Sequence, residues 1–399
     1  MNNPVICCIG YNRPNSMKRL LNSVGNAVYD DHDILLVISI DESPKSDEVE
    51  AVAKAFDWKY GKKVIKRYPE RMGLKKHCLL CGDLSLEYGA VIFLEDDVVV
   101  APGYYRYTKA ALEFYKNDEH VLGISLYTQK WVSDMQRDFI PASKGYDTLY
   151  VQRDISHGQC WIGEKWKRFR DWYAAHENNS PRYDKRVPPC VYGWKKTSSW
   201  SKYISFFLVE EDLFYVCPYY SFATNLSEVG IHASMASDIC QVPVSEGVSD
   251  HFNFGSYQDT VVYDAIFERK DRFFSSLSGV PFEDICIDIN GMKYDWSGYK
   301  YILTSQTLPY EQVCSFGANM EPIESNVIYS VPGNAIRLYK VPDDYKPDEN
   351  PDSVRMNKPD RAIMDHILNR YSTRFLATYI EPHIMQRIIQ RAVRRFITR

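Results

Sequence analysis

The sequence predicts an α/β protein built on a mainly parallel central sheet flanked by helices. Short apolar runs rich in Val, Ile and Leu alternate with segments of helical spacing, the pattern of right-handed βαβ units. The runs are apolar without alternation, as in strands buried on both faces. One of them, residues 90–94, runs straight into Glu95-Asp96-Asp97 and is followed by a second short apolar run ending at Pro102. Ligands of open α/β sheets bind beyond the carboxyl ends of the strands, and three acids grouped there are costly unless a cation neutralises them. Mg²⁺ and Mn²⁺ favour one or two carboxylates plus substrate phosphate oxygens. The triplet therefore reads as a metal site for a phosphorylated substrate, or else as a solvated acidic turn after a core strand.

In chain order, residues 4–10 form a first buried strand and 11–16 a turn. Leu20, Leu21 and Val24 then fall at helical spacing behind a cap at Asn15 or Ser16. A second strand, 34–40, ends on Asp41. A helix follows over 47–56, then a short strand over 63–67 and a helix from Gly73 to about Tyr88 that leads into the acidic strand. Beyond it, 104–115 reads as a helix, 121–127 as a strand, 128–148 as a loop, 164–173 as a helix and 213–216 as a strand. No glycine-rich phosphate loop follows the first strand, which argues against dinucleotide-binding dehydrogenases and P-loop NTPases.

Composition excludes further classes. A formal charge of −4 over 399 residues offers nothing to a nucleic-acid backbone. Thirty tyrosines could supply flat rings for sugars or simply fill the core. Ten scattered cysteines do not form a disulfide framework, and Cys78-Leu79-Leu80-Cys81 is a lone pair on a helix, read as packing. The chain enters its first strand with no signal peptide and has no apolar run of 18 residues. The expected location is cytoplasmic.

Five pieces stand out together: Ile9-Gly10-Tyr11-Asn12-Arg13-Pro14, Val37-Ile38-Ser39-Ile40-Asp41, the Arg71/Lys75/His77 region, Leu94-Glu95-Asp96-Asp97 with Ala101-Pro102-Gly103-Tyr104-Tyr105, and Ser156-His157-Gly158-Gln159-Cys160-Trp161. As a set they resemble the GT-A fold nucleotide-sugar glycosyltransferases. The likeness is to the N-acetylglucosaminyltransferase I type and to bacterial polysaccharide-assembly enzymes. The resemblance spans about residues 4–235 and implies a GT-A (nucleotide-diphospho-sugar transferase) fold. It implies that Arg13 contacts the nucleotide, that Asp41 hydrogen-bonds the base, typically uracil, and that Lys75 or His77 lies near the nucleotide. Asp97 would be the sole protein ligand of Mn²⁺ or Mg²⁺, with Glu95 and Asp96 flanking ribose and donor sugar. Trp161 would stack on sugar, unless it is a core tryptophan. In Ser221–Ile231 and His232, an Asn and a Gly-x-His would complete the nucleotide site, His232 as a second metal or phosphate contact or a plain loop histidine.

An inverting transferase needs a carboxylate to take the acceptor proton. In the resembling enzymes it lies at a later helix start, but here that stretch, Thr197 to Tyr203, holds no acid. By chain order Glu164 and Asp184 are the nearest candidates.

The expected organisation is a catalytic domain over 1–245, a small accessory α+β region over 246–345, and a linker with a basic amphipathic helix over 346–399. In the accessory region Asn290-Gly291 reads as a hairpin turn, with further strands at 285–289, 301–303, 327–329 and 336–339. In the last helix Ile384, Met385, Ile388, Ile389, Val393, Phe396 and Ile397 form one stripe among arginines, suited to an anionic membrane surface. The expected function is metal-dependent transfer of a sugar from a nucleotide-diphosphate donor, a UDP-sugar, to a glycan or lipid-linked acceptor in surface-polysaccharide synthesis. The location would be peripheral on the inner membrane face. The alternatives are a catalytically silent sugar-binding or scaffold member of the fold, or a sugar-nucleotide nucleotidyltransferase.

Overall fold

A computed structural model describes residues 3–132, 137–178, 182–229 and 238–347. The expectations for His232 and for the basic helix at 384–399 lie outside the described residues. Along the chain come β1 (Val5–Gly10), α1 (Pro14–Gly25), β2 (Leu36–Ile40), α2 (Ser46–Ala55), β3 (Lys63–Arg67), α3 (Leu74–Gly82), β4 (Ala90–Glu95), β5 (Val98–Val100), α4 (Tyr104–Tyr115) and β6 (Val121–Ser125). Then follow β7 (Thr148–Val151), β8 (Gln159–Ile162), α5 (Gly163–His176), α6 (Ser201–Glu210), β9 (Phe214–Pro218), β10 (Ala223–Asn225) and β11 (Val262–Tyr263).

Among the described residues, nine strands form one sheet in the order β11-β7-β9-β6-β8-β4-β1-β2-β3. β3, β2, β1, β4, β6 and β9 run one way, while β8, β7 and β11 run against them. The fold is thus α/β with a largely parallel central sheet flanked by helices, an arrangement consistent with a GT-A-like fold. Alternation along each strand divides the core into two layers. Ile6, Cys8, Leu36, Ile38, Ile92 and Leu94 face α1, α2 and α4. Val5, Cys7, Ile9, Val91 and Phe93 face α3, α5 and α6.

The helices form for local reasons. α1 opens with Pro14, whose missing N–H costs nothing at a first turn, and buries Met17, Leu20, Leu21 and Val24 on one stripe. α4 buries Tyr104, Tyr105, Tyr107 and Tyr115, with hydroxyls bonded inside the core, as in Tyr29 to Tyr104 at 2.9 Å and Tyr115 to Thr148 Oγ1 at 2.7 Å. Much of the tyrosine content is therefore core. The helix expected from Gly73 to Tyr88 breaks at Asp83 and resumes as a short turn, Leu84–Tyr88.

The main sheet draws its last strand from Val262–Tyr263, beyond the boundary expected at 245. After it comes a second sheet with its own core, made of β12 (Ile285–Asp288), β13 (Tyr301–Thr304), β14 (Gln312–Phe316) and β15 (Ile336–Lys340) in the order β12-β13-β15-β14. Two expectations fail here. Asn290-Gly291 forms a turn, with Gly291 at φ +68°, but β12 and β13 run parallel, so the chain crosses over instead of folding back as a hairpin. Residues 325–328 are a helical turn, Ser325–Ile328, because the Asn326 side chain bonds the backbone at 319, 320 and 323 and closes the chain on itself.

Candidate functional site

The ends of β4, β1 and β2 lie side by side in register. Ile9 pairs with Glu95, Gly10 with Ile40, and the Asp41 N–H donates to the Gly10 carbonyl at 3.0 Å. Three segments that carry polar side chains, 11–13, 41–43 and 95–97, therefore leave the sheet at one edge. That edge is the carboxyl end of the parallel strands, where α/β ligand crevices form.

Arg13 precedes α1 and turns its guanidinium onto the acids. Its Nε donates to Asp96 Oδ2 at 3.3 Å, its Nη2 bonds Asp96 Oδ1, and Nη1 and Nη2 both reach Asp97 Oδ2 at 3.1 Å. Asp97 is fixed from the other side by β10, which pairs antiparallel with β5. The Asn225 Nδ2 donates to Asp97 Oδ1 at 2.9 Å, and the Leu226 N–H donates to the Asp97 carbonyl at 3.0 Å. The following Glu228 accepts from Ser16 Oγ and pairs with Arg19 Nη2, each at 2.5 Å, so this segment also clasps α1.

One guanidinium faces three carboxylates, and the electrostatics reflect it. Burial, then repulsion from Asp97 and Asp96, pushes the Glu95 carboxyl well above the usual range. Burial pushes Asp96 up to about 6 despite Arg13. Burial works against the Arg13 charge, but Asp96 and Asp97 outweigh it and hold the guanidinium above its ordinary value. Nearby His157, set edge-on to Tyr127 at 4.9 Å, is pushed down by burial, against the pull of Asp97.

Asp41 is buried and already bonded. Its Oδ1 accepts from the Met72 N–H at 2.6 Å and from its own neighbour Glu42 at 3.0 Å, and its Oδ2 accepts from the Gly73 N–H at 3.0 Å. Gly73 sits at φ +78°, ψ 152°, a conformation essentially reserved for glycine; it lets the chain turn its N–H onto Asp41 before α3 starts. Across this turn Arg71 lies over the Tyr11 ring, 5.3 Å from its centroid.

Other expected site residues are placed elsewhere. His77 is buried beneath the sheet, with Nε2 2.7 Å from Ser39 Oγ and its ring edge-on to Tyr68. Lys75 turns to the other side of α3, where Nζ bonds the Lys196 carbonyl at 2.9 Å and lies over Tyr203. Trp161 is 1 % exposed, stacked between Phe93 at 4.6 Å and Trp166 at 4.3 Å, with Nε1 donating to Gln159 Oε1 and Tyr215 Oη. Both faces of the ring are covered, so none is left for a sugar. Glu164 is exposed at the start of α5, after β8 has run antiparallel down to Ala90. That is the opposite edge of the sheet, roughly 17 Å from Glu95 at the rise of a strand. Asp184 has both oxygens on Arg186; burial opposes its charge, but this pairing wins and holds the carboxyl below the usual range.

The sequence reading drew no attention to Asp154, which lies in the crossing from β7 to β8, where burial pushes its carboxyl up to about 7. A single acid between two strands carries no spacing signal. Only the fold shows where it goes.

The donor set at the strand ends is carboxylate oxygen, which suits a hard divalent cation. Among the described residues no three His, Cys, Asp or Glu side chains gather as a self-sufficient metal cage. Three carboxylates face one guanidinium there, a balance of charge that would suit a cation completing its coordination with other oxygens.

No family profile matches the chain, and no curated protein matches it. Among solved structures, similarity is found to a mannosyltransferase of Pyrobaculum calidifontis in complex with GDP-Man and Mn²⁺. The identity is 14 %, the TM-score 0.31, and the match covers 42 % of this chain and 46 % of that one. Residues 1–349 of TarS from S. aureus match at 12 % identity and TM-score 0.32, over 53 % of this chain and 57 % of that one. TarS 1–349 in complex with UDP matches at 14 % identity and TM-score 0.24, covering 38 % and 35 %. The chain thus spans about half or less of each of these structures. Among the described residues no helix is long and apolar enough to cross a membrane.

Proposed function

We propose that this protein is a metal-dependent glycosyltransferase that moves a sugar from a nucleotide-diphosphate donor, a UDP-sugar, to a glycan or lipid-linked acceptor in surface-polysaccharide synthesis. The observation that carries this reading is the meeting of Arg13, Asp41, Asp96 and Asp97 at the carboxyl ends of three adjacent strands. In this reading they would supply a phosphate contact, a base contact and a carboxylate pair at one edge of the sheet.

In this reading Asp97 would hold Mn²⁺ or Mg²⁺, and the ion would supply charge neutralisation for a nucleoside diphosphate leaving group. Asn225 holds Asp97 Oδ1, and Oδ2 would be offered once Arg13, which now bonds it with Nη1 and Nη2, lets it go. Arg13, shared between two acids, gives up one pairing and takes a diphosphate oxygen with the freed N–H groups. Asp41 has three of its roughly four acceptor positions filled and keeps one for an N–H of the base, beside the Tyr11 and Arg71 pair. Glu95 and Asp96 flank ribose and sugar. Lys75 and His77, turned away, take no part.

The test is calorimetry of UDP and GDP with and without Mn²⁺, on wild type and Asp97→Ala. Mn²⁺-dependent UDP binding that weakens at least about tenfold in the variant is expected, since a lone carboxylate ligand supplies a large share of the metal contact. Absence of binding by either nucleotide in any condition would refute the reading. A catalytically silent sugar-binding protein is the second reading, favoured by the lack of an acid at the start of α6; turnover of any donor excludes it.

A further inference from the structure

Asp97 is the carboxylate that the reading above offers to a cation, yet both of its carboxyl oxygens are already engaged. The Asn225 Nδ2 holds Oδ1 at 2.9 Å, and Oδ2 accepts from Arg13 Nη1 and Nη2, each at 3.1 Å. Arg13 is held unequally by its two acids. Asp96 receives a fork, with Nη2 on Oδ1 and Nε on Oδ2, the planar match that makes such pairs strong. On Asp97 two donors crowd a single oxygen. The Asp96 side chain is 7 % exposed, against 16 % for Asp97 and 23 % for Arg13. The looser of the two links is therefore the one that solvent, and anything dissolved in it, can reach.

The backbone of Arg13 is fixed independently of these bonds. Its carbonyl accepts from the Met17 N–H at 3.0 Å in the first turn of α1. Glu228 ties Ser16 and Arg19 of that helix to the segment after β10, each at 2.5 Å. Among the described residues the guanidinium bonds Asp96 and Asp97 alone. It can leave Asp97 by rotation of the side chain, while α1 stays where it is.

We propose, resting on the glycosyl-transfer reading above, that Arg13 is a built-in counter-ion that keeps Asp97 closed to a divalent cation until a nucleoside diphosphate draws the guanidinium away. Without nucleotide, a cation has to displace Arg13 from Asp97 Oδ2 and leaves its N–H groups with no acceptor but water. With nucleotide, the diphosphate oxygens accept those N–H groups, and Asp97 Oδ2 is released to the cation. Cation and nucleotide then raise each other's affinity by the same factor, as linkage requires. Arg13 thus makes the site take up a cation together with a diphosphate and bind either one alone weakly.

The test reads Mn²⁺ binding to the full chain without nucleotide, from the electron spin resonance signal that free Mn²⁺ gives and bound Mn²⁺ loses. UDP affinity is read beside it by calorimetry at saturating Mn²⁺. Arg13→Gln is expected to bind Mn²⁺ alone at least about tenfold more tightly than wild type, the weight of one charged hydrogen bond taken off the competing side. In the presence of Mn²⁺ the same variant is expected to bind UDP at least about tenfold more weakly, having lost that bond to the diphosphate. The opposite signs are the signature, since loss of an arginine that only braces the fold would weaken both. Unchanged or weaker Mn²⁺ binding by folded Arg13→Gln, where wild type binds UDP with Mn²⁺, overturns the counter-ion role alone. If Arg13→Gln fails to fold, Arg13→Lys decides. Lysine keeps the charge but lacks the planar fork that spans two acids, so Mn²⁺ alone should again bind more tightly than to wild type, and no gain overturns the role. Wild type that binds no nucleotide overturns it together with the reading on which it rests.

Discussion

Arg13 and Trp161 show how differently two residues of one sequence motif set are used. Arg13 is 23 % exposed at its side chain and bridges two acids from a segment 83 positions away, so its charge is available at a crevice. Trp161 meets two rings face to face and satisfies its N–H inside the core. Trp161→Phe removes ring volume and one donor, leaving a void between Phe93 and Trp166. A loss of about 2 kcal/mol or more is expected from cavity formation, measured by urea unfolding, while UDP affinity in the presence of Mn²⁺ stays within twofold. A loss of affinity at full stability would return Trp161 to the binding site. The same arithmetic explains His77, whose ring is spent on Ser39 and Tyr68.

Among the elements, β4 was the most legible, because an unbroken apolar run ending on acids leaves few other conformations open to it. β8 was not legible as an antiparallel insert between β4 and β6: its sequence is apolar whichever way it runs, and direction depends on the turn at Gly158, at φ +100°. β12 ends on Asp288, fully buried and accepting from the Lys293 N–H and Thr304 Oγ1 at 2.7 Å and Gln306 Nε2 at 2.9 Å. Burial lifts its carboxyl from an ordinary 3.8 to about 6 despite those bonds, and burial raises neighbouring Glu268 as well. The folded state therefore holds this proton more tightly than the unfolded chain. Stability falls as pH rises from about 4 through about 6, by on the order of 3 kcal/mol for a shift of about two units. Amides of β12 and β13, corrected for intrinsic rates, should exchange more slowly at pH 5 than at pH 7. Equal protection at both values would show that Asp288 keeps its charge without cost.

Over the whole molecule, the second sheet is tied to the last strand of the first by polar links, two of them buried. Tyr263 Oη donates to Glu324 Oε1 at 2.6 Å, Arg269 pairs with the same oxygen at 3.4 Å, and Lys293 pairs with Asp264 at 3.0 Å. Glu324→Ala would take from the buried Tyr263 hydroxyl its acceptor and from Arg269, which keeps Asp271, its second carboxylate. Leaving a buried donor unsatisfied costs about 1–3 kcal/mol, so calorimetric melting should drop and divide into two transitions. A single unshifted transition would mean that the two sheets do not depend on these links.

The sequence by itself determined the α/β class, the strands that end at Gly10, Ile40 and Glu95, and the grouping of acids there. These follow from local rules: apolar runs must be buried, and their ends must leave the sheet. Tertiary structure decided which side chains share the crevice. Arg13 reaches Asp96 and Asp97 because β1 pairs with β4, and Asn225 reaches Asp97 because β10 pairs with β5. Each contact joins residues far apart in the chain, and no local spacing encodes it; the burial of distant apolar faces against one another sets them all at once.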